Sequence, residues 1–99
     1  TLNDPVYLEA ALAFAKLHSK KPYEEAIKDM FEFATYRKLS DDKLNSLINL
    51  YNDSSDFYTK SPDELNDFYL ENKKVSNKLA SLAIVASAIM NLDEFLTHG

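Results

Sequence analysis

The sequence predicts an all-α protein: a compact, mainly antiparallel bundle of four to five helices, with a long buried helix near the C-terminus and a short helix after it. Three observations carry this expectation. One glycine and three prolines in 99 residues leave little material for hairpins, barrels or phosphate-cradling loops. Helix-start residues recur along the chain, each followed by apolar residues at three- and four-residue steps. Finally, Leu79 to Met90 is an almost unbroken apolar run, far shorter than the roughly 20 residues a bilayer span needs.

Each element follows from its residues. Asp4-Pro5 places a capping carboxylate before a proline at the first helical position, and the spacing predicts a helix to about His18. Leu8, Leu12 and Ala15 share one face of it, beside Tyr7, Ala11 and Phe14. Pro22 opens a second helix carrying Tyr23, Ala26, Ile27, Met30, Phe31 and Ala34. Ser40 caps a third, whose first-turn Asp41 and Asp42 suit the positive end of the helix dipole and whose stripe is Leu44, Leu47, Ile48 and Tyr51. Asn52 to Lys60 either continues this helix toward Phe57 and Tyr58 or breaks it. The stretch SPDE, Ser61 to Glu64, has the pattern of a capping box opening a short helix with Leu65, Phe68 and Tyr69, and Glu71 to Lys74 reads as a polar linker. From about Ser76 the last long helix runs to Met90. Leu79, Leu82, Ile84, Val85, Ile89 and Met90 surround its axis with alanines between them, so it is expected to be buried on all sides.

Composition excludes several function classes. A formal charge of −5 argues against nucleic acid, which requires a basic face. Without cysteine there are no disulfides, thiolate metal sites or covalent haem attachment in this segment. The chain starts TLNDPV, with no initiator methionine, and is read as one helical domain, residues 1–99, cut from a longer protein.

Candidate site residues gather at the end of the chain. With Asn91 as N-cap, Glu94 can reach back to the Asn91 backbone N–H while the Asn91 side chain accepts from the Glu94 N–H. Asp93 stands in the same first turn, and Leu92, Phe95 and Leu96 would fold onto the core. The rival reading makes Asp93, Glu94 and His98 an acid–base or metal site, but two ligands on one turn fall short of the three or four a metal takes. His18, beside Lys16, Lys20 and Lys21, reads as part of a basic helix end. The oxygens of Asn52 to Asp56 lack the glycine and distal glutamate of a calcium loop, and Asp63, Glu64, Asp67 and Glu71 read as a solvated face.

Three segments, NDPVYLEAALAFA (Asn3 to Ala15), FATYRKLSDDKLNSLINLY (Phe33 to Tyr51) and LASLAIVASAIMNLDEFLTHG (Leu79 to Gly99), resemble the last part of one known family. It is the C-terminal domain of unknown function of planctomycete-type multidomain cytochrome proteins. The sequence departs from the pattern at Leu39, where a turn proline is usual, at Lys43, where an acidic residue is common, and at His98. Arg37, Asn91, Asp93 and Glu94 match motif positions, and the family supplies no catalytic residue to transfer. The resemblance implies a non-catalytic structural or interaction module of an exported bacterial protein, extracytoplasmic, packed on upstream domains or another protein. Haem would belong to an upstream domain, with no cofactor in this segment. The alternative it leaves is a part of an enzyme or redox domain whose main site lies upstream. Arg37 is expected to tie the turn after the second helix to Asp93 and Glu94 through its planar donor fork. An unchanged melting temperature in Arg37→Ala would refute that tie.

Overall fold

Serine hydroxyls start two of the helices in the computed structural model, which describes residues 5–92. Ser40 Oγ accepts from the Lys43 N–H at 3.3 Å, and Ser76 Oγ accepts from the Leu79 N–H at 3.1 Å. Each such cap satisfies an orphan amide and is worth about 1 kcal/mol. The elements in order are α1 (Pro5–Lys16), α2 (Tyr23–Thr35), α3 (Asp41–Lys60), a 3₁₀ turn (Pro62–Leu65), β1 (Tyr69–Leu70), β2 (Lys73–Lys74) and α4 (Asn77–Met90). The fold is an all-α bundle, with four α-helices among the described residues. The predicted short terminal helix lies outside them.

The central helix is α4. None of its 14 residues is exposed, and Leu82, Ala83, Val85, Ala86 and Ile89 are wholly buried. It packs most extensively on α1, then on α3 and α2. Polar contacts fix the directions. Tyr7 near the start of α1 meets Ser87 and Asn91 at the end of α4. Asn77, first in α4, donates to the Ser55 carbonyl and to Thr59 late in α3. α4 therefore runs antiparallel to α1 and α3. Phe31, Leu12, Ile27 and Met30 complete the core around it, and the buried hydroxyls of Thr35 and Ser81 are satisfied by the Phe31 carbonyl and by Asn77 Oδ1.

The segment whose continuation was open resolves as helix: α3 runs unbroken to Lys60 because Tyr51 and Tyr58, two turns apart, both bury their rings. Tyr58 meets Phe68 edge-on at 5.7 Å, while Asp53 and Asp56 face solvent. The four carboxylates Asp63, Glu64, Asp67 and Glu71 are exposed, as a solvated face requires.

Two expectations need correction between Ser61 and Lys74. Ser61 makes no side-chain cap, and the predicted short helix is a single 3₁₀ turn held by the Glu64 N–H on the Ser61 carbonyl, 3.0 Å. The supposed polar linker is a β-hairpin in which Tyr69 pairs with Lys74 and Leu70 with Lys73. Its two-residue loop holds Glu71 at φ 54° and Asn72 at φ 65°. Positive φ at both positions is the type I′ geometry, which favours Asn-Gly and taxes a long side chain such as glutamate. The double substitution Glu71→Asn/Asn72→Gly is expected to stabilise the protein by about 0.5–1 kcal/mol, read as a rise in melting temperature.

Candidate interaction surface

Helix α1 is apolar on two opposite faces. Its inner face, Ala11, Leu12 and Ala15, is fully buried against the bundle. Its outer face carries Val6, Ala10, Ala13 and Leu17, all exposed, with Val6 and Leu17 at 80% and 74%. Steps of four, three and four residues place these side chains on one narrow stripe. Leu17, one residue past the end of α1, joins it because its N–H still bonds to the Ala13 carbonyl at 3.4 Å. A helix burying one face normally carries charge on the other; here the only charged residues of α1 are Glu9 and Lys16.

Beside this stripe a shallow apolar groove of about 190 Å³ runs between α1 and α2, lined by Ala10, Phe14, Phe33, Ala34 and Met90. Phe33 is 65% exposed and its ring lies 6.2 Å from that of Phe14. Stripe and groove share Ala10 and form one continuous apolar surface. The helical period places Phe14 and Ala34 on core faces, while Phe33 and the small residues of α1 extend that apolar material to the outside. The signal was present in α1, whose run PVYLEAALAFAK has too few polar residues for a helix with a wet outer face.

His18 closes one end of this surface, its ring 5.8 Å from Phe14 and 6.4 Å from Phe33. Its Nδ1 is buried and has no hydrogen-bond partner among the described residues. Burial first, and then the Lys21 ammonium, lower its pKa below the ordinary 6.5, with Asp29 opposing. The fold therefore favours the neutral imidazole. The unfolded chain therefore binds the proton more tightly, so His18 removes stability as pH falls through about 6.5. Between pH 7.5 and 5 the melting temperature of the native protein is expected to fall further than that of His18→Gln. Carboxylate titration is common to both proteins and cancels in the comparison.

Of the motif residues, Asn91 is well defined. It ends α4 at φ −99°, and its side-chain amide donates to Tyr7 Oη at 2.6 Å and to the Ser87 carbonyl at 2.8 Å. Tyr7 Oη in turn donates to the Ser87 carbonyl at 3.1 Å. Asn91 thus fastens the end of α4 to the start of α1, a role the sequence did not announce. Arg37 is exposed in the α2–α3 turn beside Glu32, Tyr36 and Lys38, and its backbone N–H bonds to Thr35 Oγ1 at 3.2 Å. Asp93, Glu94 and His98 lie outside the described residues, so the expected bonds to them do too. Leu92 shares a second hollow with Phe31, Lys43, Ser46 and Leu47.

Among the described residues no group of three or more His, Cys, Asp or Glu is placed to hold a metal ion, and no helix is long and apolar enough to cross a membrane. No family model, curated protein or solved structure matches this chain.

Proposed function

We propose that the chain is a non-catalytic helical module that works by packing, closing the C-terminal end of an exported bacterial multidomain protein associated with a cytochrome domain. One observation carries the packing role: the continuous apolar surface of α1 and α2, presented on helices that an enclosed α4 holds in place. Contiguous apolar surface of this kind marks interaction sites in soluble proteins. The cytochrome-associated and extracytoplasmic setting rests on the sequence resemblance alone. The module's partners are upstream domains of the same protein or another chain.

The test compares the intact parent protein with a form ending before Thr1. Loss of folding or of soluble yield, with unchanged chemistry in the remaining domains, supports the packing role. Retained haem content, fold and activity in the shortened protein would refute it. Phe33→Asp serves as the point variant: it should leave the helicity of the isolated chain intact while weakening its hold on whatever it packs against.

A further inference from the structure

We infer that the outer face of α1 pairs with the same face of a second copy of this chain, the two helices running antiparallel about a twofold axis. The inference rests on the packing role proposed above and names the partner.

The stripe reads large–small–small–large: Val6, Ala10, Ala13, Leu17. Such an order is its own complement when reversed. A twofold axis between Ala10 and Ala13 sets Val6 of one copy against Leu17 of the other, and Ala10 against Ala13, over a length of about 17 Å. Alanines at the crossing let the two axes approach to the close end of the usual 8–10 Å. The four-three-four spacing is that of a coiled-coil seam, with Val6 and Ala13 at d and Ala10 and Leu17 at a.

Charge independently selects a second copy and its direction. In that register Glu9 and Lys16 both occupy g, on one flank of the stripe. Antiparallel helices bring g beside g, so Glu9 of each copy meets Lys16 of the other, twice per dimer. Parallel helices would set each charge against Tyr7 or Phe14, which occupy e. Lys16 is open to such a contact: its one ion pair among the described residues is with Glu71 at 3.7 Å, both side chains largely exposed. On the other flank, Phe14 and the groove it shares with Phe33 face the partner's Tyr7 and Phe14, extending the apolar contact.

Three turns of helix make a small interface, so association should be concentration-dependent. Sedimentation of the chain from about 1 μM to about 1 mM is expected to show a monomer–dimer equilibrium. Ala10→Glu, at an exposed position, should shift it to monomer without changing helicity. Glu9→Lys and Lys16→Glu should each associate more weakly than the native chain, and an equimolar mixture of the two should recover native association. Val6→Cys/Leu17→Cys provides a second readout, since the chain has no other cysteine and the two positions are too far apart in one copy to join. Oxidation should give a covalent dimer. A chain monomeric throughout, or a dimer indifferent to Ala10→Glu, overturns the inference. A mixture that recovers nothing overturns the antiparallel register that defines it. If the native chain is already monomeric and Ala10→Glu instead loosens its packing on the rest of the parent protein, the second copy is wrong and the packing role stands. If it changes neither, both fall.

Discussion

Replacing Phe31 by alanine is expected to cost about 3–5 kcal/mol, since the ring is wholly enclosed and the helices around it can collapse only in part. Phe31 is 1% exposed and the largest fully buried side chain among the described residues. It stands where α2 faces α3, and on its α3 side Lys43 places its ammonium 5.7 Å from the ring centroid. The substitution therefore removes the filling of the α2–α3 contact together with a cation–π interaction worth about 0.5–1 kcal/mol at an exposed site. Against a total stability of about 5–15 kcal/mol, this leaves the variant marginal near room temperature. The matched control is Phe33→Ala, two residues along the same helix and 65% exposed, for which less than about 1 kcal/mol is expected. Urea midpoints for the two variants decide the matter. Comparable losses would mean that α2 is rotated from the orientation described here.

That pair of phenylalanines also shows how far the sequence reaches. Phe31 was legible as core because Ile27, Met30, Phe31 and Ala34 keep a helical period, and periodicity encodes which face is wet. The central place of α4 was legible for the same reason, since apolar residues with no polar stripe call for burial, although Leu79, Ile84, Ala88 and Met90 are only half-buried. Ser40 and Ser76 announced their helices because an N-cap is a local event, settled within four residues. What escaped was decided elsewhere in the chain. Glu71 and Asn72 adopt positive φ without glycine because Leu70 and Val75 are drawn into the core on either side, and local preference yields to that burial. Ser61 carries the letters of a capping box, yet Pro62 begins a 3₁₀ turn in which the Glu64 N–H bonds to the Ser61 carbonyl and the Asn66 N–H to that of Asp63. The bond from Asn91 to Tyr7 joins residues 84 positions apart, and nothing near either residue foretells it. The outer face of α1 lay between these cases. Its letters were apolar and visible, but apolar letters on two faces mean a core helix until the neighbours are known, and only the fold shows that none of the described helices lies against one of them.

Ala83→Leu is the substitution that tests whether the enclosure of α4 matters as much as its apolarity. Leucine and alanine differ little in helix propensity, so the helix itself loses almost nothing. Ala83 itself is fully buried, however, in a helix packed on α1, α2 and α3. Three added carbons must push a neighbouring helix outward, at a cost of about 1–3 kcal/mol, whereas Ala88→Leu on the half-buried side of the same helix should cost clearly less. The displacement has a second consequence. α1 and α2 do not define the apolar surface alone; their spacing is set by how closely each rests on the small residues of α4, and Met90 forms one wall of the groove. A variant that still folds should therefore lose association even though no residue on the interaction surface has changed. Intact association in a destabilised Ala83→Leu protein would show that α1 holds its outer face without help from the central helix, and the link between enclosure and packing would be lost.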